Sequence, residues 1–129
     1  MAVIRLQHAS VPMPVGGNDD ARAFYNGILG MDEVQPPASL DADRIVWFKA
    51  GDAGHEIHVF TDDGHGPNAA QHLCLQLDDI NATRAHLETL GVPIEETTAI
   101  HNRPRFNVRD PFGNLIELTQ ITGDYQDGQ

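Results

Sequence analysis

Cysteine and lysine are almost absent from this sequence, which has one residue of each type among its 129. A lone Cys74 cannot form an internal disulfide, and such cysteine usage is typical of a reducing compartment. No apolar run approaches the roughly 20 residues of a membrane span, and no basic stretch followed by an apolar one opens the chain. We therefore expect a cytoplasmic protein without a membrane segment.

Positive charge is also scarce. Nineteen Asp and Glu residues against eight Lys and Arg residues give a net charge of −11. Nucleic acids and anionic lipid surfaces repel such a field, so we expect neither a nucleic-acid partner nor a membrane partner. Hydrophobic residues make up 40% of the chain, which is enough to bury a core, and the length is that of one domain.

Two parts of the sequence follow the same order of landmarks, which indicates an internal repeat. Each part begins with a strand that carries Gln-His, continues through an acidic turn into a helix ending in Leu-Gly, and closes with strands around a glycine turn. The alignment makes four pairs of positions equivalent: His8 with His72, Gly30 with Gly91, Gly54 with Gly113, and His58 with Glu117. Each part is thus predicted as a strand, a helix and about three further strands, with a pseudo-twofold axis between two small sheets and a helix on each outer face.

The repeat also sets the predicted boundaries within a single domain of residues 1–129. The first module is predicted at residues 3–61 and the second at residues 70–122. A stretch with glycines and a proline, residues 62–69, is the predicted linker, and the polar residues 123–129 are a predicted flexible tail.

The pattern of the strands points to a metal site. Side chains alternate between the two faces of a strand, so each of these strands has an apolar back and a polar front. The polar fronts carry three imidazoles and one carboxylate, which the pseudo-twofold axis would bring together: His8, His58, His72 and Glu117. Nitrogen and oxygen ligands without thiolates suit one divalent transition metal, such as Zn²⁺, Fe²⁺, Ni²⁺, Co²⁺ or Mn²⁺.

Further polar residues are candidates for contacts with a substrate. Arginines near the last strands could hold a substrate carboxylate or pair with surface acids, and the sequence leaves both readings open. The candidate substrate-binding residues are His101, Arg103, Arg105 and Asn107. The remaining histidines are predicted bystanders in a turn, the linker and the second helix, namely His55, His65 and His86. Cys74 is predicted to be a small core residue.

These landmarks make the sequence similar to the vicinal oxygen chelate superfamily. This superfamily includes glyoxalase I, extradiol dioxygenases, and fosfomycin- and bleomycin-resistance proteins. The resemblance covers residues 4–121 and is carried by Leu6-Gln7-His8, residues 23–30, residues 71–75 and, most specifically, residues 110–118. It implies an α+β fold of two tandem βαβββ modules, which form a paired, cup-shaped mixed β-sheet with helices on the outer faces. It also implies a metal between the modules and, in many short members, a homodimer whose chains share the cavity.

The resemblance assigns roles to the candidate ligands. The family's ligand positions fall on His8, His72 and Glu117, with a fourth on the strand that holds His58. Glyoxalase I enzymes carry Glu or Gln at that fourth position, so His58 departs from the pattern, and Glu56 could replace it if the register shifts by two residues. By the same resemblance, Glu117 is the base that abstracts a proton from the substrate, and His58 is an acid or base if it is not a ligand.

The leading hypothesis is a dimeric enzyme that holds one divalent metal per site. It would act on a small substrate that chelates the metal through adjacent oxygens, by proton transfer of the lyase or isomerase type. One alternative is a non-haem Fe(II) extradiol-type dioxygenase, since those enzymes use two histidines and one carboxylate. Another is a metal-free drug-binding protein like the bleomycin-resistance members, although those lack the histidines.

Overall fold

The computed structural model describes residues 1–2, 4–64 and 71–124. The chain divides into two compact units, Met1–Asn68 and Ala69–Gln129, and each is described by itself. Most of the predicted linker, with His65, and most of the predicted tail lie outside the described residues. Within the described part of the chain, no helix is long and apolar enough to cross a bilayer.

Unit 1 is a four-stranded mixed sheet with one helix. The strand order is β1-β4-β3-β2, with β1 parallel to β4 and the other neighbours antiparallel. The helix begins as α-helix and continues with a π-helical stretch, and a short 3₁₀ turn, Ala42–Arg44, precedes β3. The elements are β1 (His8–Met13), α1 (Asn18–Ala21, continued by Arg22–Ile28), β2 (Glu33–Val34), β3 (Ile45–Ala50) and β4 (His55–Thr61).

The core of unit 1 follows from strand alternation. Every second residue of the three longer strands is buried, namely Val11, Met13, Val46, Phe48, Ile57 and Val59. The helix contributes Phe24 and Tyr25, and the Tyr25 and Phe48 rings lie 5.2 Å apart. This packing covers the back of the sheet and leaves the residues of the opposite phase on its front.

Unit 2 repeats this plan with a three-stranded sheet. The strand order is β5-β7-β6, again with a parallel pair of first and last strands. The Asp79 side chain accepts a hydrogen bond from the backbone N–H of Ala82 and so caps the second helix. The elements are β5 (His72–Gln76), α2 (Ile80–Thr89), β6 (Arg105–Arg109) and β7 (Leu115–Thr119). In place of a further strand, residues 71–124 of unit 2 have two isolated bridges, between Glu95 and Asn107 and between Ile100 and Arg103.

The strand registers support the predicted equivalence of the two halves. Ser10 lies opposite His58 in unit 1, and Cys74 lies opposite Glu117 in unit 2. The first-strand histidine therefore stands two residues before the partner of the last-strand residue in both units. Gly30 and Gly91 both end their helices with positive φ, at 74° and 71°, a conformation that a side chain would strain.

Candidate functional site

The front of the unit 1 sheet carries a stack of three aromatic rings. The imidazoles of His8 and His58 lie face to face, with centroids 4.0 Å apart and planes 16° apart. On the other face of His58, the indole of Trp47 stacks at 3.8 Å with an interplanar angle of 2°. Because both faces are covered, only 11% of the His58 side chain is exposed. The predicted metal ligand His58 is thus the enclosed middle ring of a stack.

Hydrogen bonds orient the edges of these imidazoles. His8 Nδ1 lies 2.6 Å from Oε1 of Gln7, which can only accept, so the proton is on Nδ1 and the lone pair is on Nε2. His58 donates from Nε2 to Oε1 of Glu56 at 2.9 Å. This hydrogen bond is the main cause that lowers the pKa of the Glu56 carboxyl below its ordinary value, with a smaller lowering by Gln7 and opposition from burial. His58 therefore holds Glu56 as a carboxylate.

The front of the unit 2 sheet carries a different cluster. His72 Nε2 lies 3.2 Å from Oε1 of Glu117, and Arg105 Nη1 lies 3.2 Å from Oε2 of the same carboxylate. The Glu117 side chain is 14% exposed and that of Arg105 16%, whereas His72 is 40% exposed. Glu117 is thus held on one oxygen by a largely buried guanidinium and faces an accessible imidazole on the other.

Cys74 lies beside this carboxylate on β5. The prediction that it is a small core residue is wrong, since Cys74 is exposed. It lies opposite Glu117 in the β5–β7 pair. Loss of solvation and the charge and hydrogen bond of Glu117 together raise the pKa of the thiol to about 11. At neutral pH Cys74 is a protonated thiol and a poor nucleophile.

The four predicted substrate-binding residues occupy different places. Arg105 contacts Glu117 and donates from Nε and Nη2 to the carbonyl of Thr98 at 3.0 and 2.7 Å. Arg103 donates to the carbonyls of Asn102 and Gly123. The two others are Asn107, which lies opposite Glu117 in the β6–β7 pair, and His101, which is exposed in a turn. Of these residues, Arg105 contacts the carboxylate of a predicted ligand, Glu117.

Two residues of these clusters were not predicted from the sequence. Trp47 is the only tryptophan, and strand alternation places it in phase with Ile45 and Lys49 on the front of β3. The place of Trp47 on the front of β3 was the sequence signal that could have predicted its contact with His58. The other is Arg84, which stands on α2 at the place that Arg22 takes in the helix of unit 1. It lies over the ring of Phe106 and pairs with Glu96, and no sequence pattern indicated these contacts.

The donor atoms can be compared with the needs of a transition metal. Two ligands of one ion, each about 2.0–2.2 Å from it, lie about 3.0–3.4 Å apart. The 3.2 Å between His72 Nε2 and Glu117 Oε1 meets this requirement. An imidazole holds a metal in its own ring plane, so two rings stacked face to face at 4.0 Å cannot share an ion. His72 and Glu117 therefore fit a metal, His8 fits through Nε2, and His58 does not fit together with His8.

Residues 1–2, 4–64 and 71–124 contain no group of three or more His, Cys, Asp or Glu side chains arranged to hold a metal ion. The predicted set of four ligands draws on both units, and it stays a prediction. What the structure brings together is one histidine pair in unit 1 and one histidine–carboxylate pair in unit 2.

Comparison with known proteins defines the family. The model of the Glyoxalase/Bleomycin resistance protein/Dioxygenase superfamily matches residues 5–118, so the chain belongs to this superfamily. A glyoxalase family protein from Bacillus anthracis is 30% identical, with 95% of this chain and 98% of that chain covered and a TM-score of 0.88. The predicted fold of glyoxalase-like modules is thereby confirmed.

Two further solved structures show the range of the family. An antibiotic binding protein from Streptomyces sp. CB03234 is 27% identical, with 95% and 99% of the two chains covered and a TM-score of 0.68. A lactoylglutathione lyase from Agrobacterium tumefaciens is 22% identical, with 97% of each chain covered and a TM-score of 0.69, and it supports the fold alone. A search of the curated proteins found no match.

Proposed function

We propose that this protein is a divalent-metal-dependent enzyme of the lyase or isomerase type. Its substrate is a small molecule with two adjacent oxygens, one of them on a carbonyl, and the reaction moves a proton on the neighbouring carbon. The observation that carries this proposal is the pair of His72 and Glu117, whose donor atoms lie 3.2 Å apart at an accessible surface of the sheet.

His72 and Glu117 are the residues of unit 2 that would hold the metal, and His8 is the imidazole of unit 1 with a suitable donor atom. When bound, a divalent ion supplies Lewis-acid stabilisation of the negative charge that develops on the substrate oxygens. We assign His58 a positioning role, because its enclosed ring keeps Glu56 ionised and in place.

Glu117 is the proton-transfer group in this proposal. A carboxylate is a suitable base for a proton next to a carbonyl when it is fixed in direction and shielded from water. Arg105 fixes one oxygen of Glu117, and the 14% exposure of the carboxylate limits hydration.

Metal analysis and deuterium exchange test this proposal. Protein purified without a metal-affinity tag should contain a divalent transition metal and lose thermal stability when a chelator removes it. Small α-hydroxycarbonyl compounds should exchange the proton next to the carbonyl in deuterated water, as followed by NMR. Glu117→Gln should abolish the exchange, while Glu88→Gln, an exposed carboxylate on α2, should leave it unchanged.

The outcomes separate the proposal from its alternatives. If the bound metal is iron and the protein consumes oxygen when given catechols, the function is extradiol-type dioxygenation and not proton transfer. Protein without any metal, and without a stability change on chelation, would overturn both enzymatic functions. We also expect a homodimer, and sedimentation as a monomer at micromolar concentration would contradict this.

The ring stack of unit 1 favours one second candidate, the binding of a planar drug-like molecule without chemistry. Aromatic faces bind planar ligands by stacking, and Trp47 ends the row of rings. The 27% identity to an antibiotic binding protein is in line with this candidate. Because Trp47 is the only tryptophan, saturable quenching of its fluorescence by planar aromatic antibiotics would support it. Unchanged fluorescence would remove it.

A further inference from the structure

A cavity lies within unit 2, away from the His72–Glu117 pair. Its volume is about 280 Å³, near the lower end of the roughly 300–1,000 Å³ typical of ligand pockets. The first turns of α2 and residues 96–105 form its wall. Arg105 is the one residue that it shares with the cluster around Glu117. The proposed proton transfer does not use this cavity.

The lining of the cavity is rich in guanidinium groups. Three of the eight basic residues of the chain line it, although the net charge of the chain is −11. The same wall holds one carboxylate, Glu96, and two further polar side chains, Asn81 and Thr97. The guanidinium groups belong to Arg84, Arg103 and Arg105. In an acidic chain, such a concentration of donors favours an anionic ligand.

Contacts hold these guanidinium groups in place. Arg84 lies over the ring of Phe106 at 4.7 Å, and the carbonyl of Thr98 accepts from two nitrogens of Arg105. Arg103 Nη1 donates to the carbonyl of Asn102 at 2.8 Å. These contacts fix the directions of the guanidinium groups, and Arg105 is in addition paired with the carboxylate of Glu117. Groups that are already oriented lose little conformational freedom when a ligand binds.

The ion pair of Arg84 and Glu96 does not close the cavity to anions. Its shortest distance is 2.6 Å, but Glu96 is 69% exposed and can turn into solvent when another anion approaches Arg84. Exposed pairs of this kind contribute little stability. In unit 1 the equivalent Arg22 forms a similar pair with Glu33 at 3.0 Å. This pair offers a matched control outside the cavity.

We propose that this cavity of unit 2 binds a small anion through Arg84 and Arg103, by oxygens of a phosphate or a short carboxylate. The guanidinium forks match the paired oxygens of both groups, and the volume leaves room for an anion of either kind. The proposal uses neither His72 nor Glu117, so its test is separate from that of the metal-dependent reaction proposed above.

Titrations with inorganic phosphate and with malonate at constant ionic strength test this inference. Saturable shifts in the NMR spectrum are expected for the backbone amides of residues 96–103, and the tighter of the two probes identifies the preferred oxygen group. Arg84→Gln and Arg103→Gln should each weaken binding by about tenfold, since each removes charged hydrogen bonds. Arg22→Gln should bind the probe like the wild-type protein, and circular dichroism checks that each variant is folded.

Several results would overturn the inference. These are the absence of saturable shifts with both anions, shifts spread over both units, or equal weakening by Arg22→Gln and Arg84→Gln. If Arg103→Gln fails to fold, Arg84→Gln and its charge-preserving counterpart Arg84→Lys decide the outcome. Arg84→Lys should retain more affinity than Arg84→Gln, and equal affinities of these two variants would contradict a role for the charge.

Discussion

The two units place different chemistry at equivalent positions of one scaffold. In unit 1 the last-strand residue His58 is enclosed between two rings, whereas in unit 2 the equivalent Glu117 faces an accessible His72. The difference comes from the neighbouring strand, because Trp47 lies opposite His58 while Asn107 lies opposite Glu117. A large flat neighbour encloses the last-strand residue of unit 1, and a smaller polar neighbour stands at the same place in unit 2.

Metal affinity is the property that most clearly tests the difference between His58 in unit 1 and His72 in unit 2. His72→Gln should weaken cobalt binding by about a hundredfold or more, since it removes a direct ligand, and His58→Gln by less than about tenfold, since it acts through Glu56. Calorimetric titration of chelator-treated protein with cobalt measures both. His86→Gln, an exposed position on α2, is the control. Equal losses at His58 and His72 would mean that the stack of unit 1 opens to bind the metal.

The pKa of the Cys74 thiol gives a second test of the unit 2 cluster, since the carboxylate of Glu117 contributes to raising this pKa. With a pKa of about 11 instead of 9.0, the thiolate fraction at neutral pH is about a hundredfold smaller than in the unfolded chain. Alkylation by iodoacetamide should be slower in the native protein by about that factor, and Glu117→Gln should accelerate it. Because Cys74 is exposed, equal rates in the native and unfolded protein would show that Glu117 does not control the thiol.

The stack itself has a smaller predicted effect, on stability. Trp47→Ala removes the ring that covers His58 and should lower the free energy of unfolding by about 2 kcal/mol, less than for a fully buried tryptophan. Asn107→Ala at the equivalent position of unit 2 should cost less than half as much. Urea unfolding followed by circular dichroism measures both changes. A larger loss for Asn107→Ala would reverse the proposed difference between the units.

The smallest expected effect is a dependence of stability on pH. Because the pKa of Glu56 is lowered in the folded state, its contribution is present above the ordinary value of 4.5 and is lost as the pH falls through the lowered pKa. Glu56→Gln should therefore destabilise the protein at about pH 6 and have no effect at about pH 2. A difference between Glu56→Gln and wild type that stays constant over this range would show that His58 does not hold a carboxylate.

Sequence patterns predicted much of the fold because they report local physics. Alternation identified the buried sets on β4 and β7, and the Leu-Gly endings identified the helix ends at Gly30 and Gly91. The closing strands that the repeat predicted around a glycine turn are β6 (Arg105–Arg109) and β7 (Leu115–Thr119) in unit 2. The repeat predicted one more strand in unit 2, and at Glu95 the structure has an isolated bridge to Asn107. A sequence pattern does not distinguish a paired strand from a single paired residue.

The candidate site was less predictable, since it depends on neighbours that are far apart in the chain. The pairing of His72 with Glu117 follows from strand register and could be anticipated from the repeat. The stacking of Trp47 on His58 could not be anticipated in this way, because it depends on the rotamer of a side chain on a neighbouring strand. The same limit applies to the contact of Arg105 with Glu117, which no sequence pattern indicated; its predicted contact with a substrate stays a prediction.

The sequence by itself determined the duplicated architecture, the acidic and cysteine-poor character of the chain, and the residue types that could serve a metal. Only the tertiary structure decided which of those residues are accessible, since stacking and ion pairing are set by side chains that meet across strands. His58 lies enclosed in a ring stack for that reason, and Glu117 is held in direction by Arg105. The physical cause is that periodicity specifies the face on which a side chain lies, whereas its contacts depend on the size and charge of the residues across the sheet.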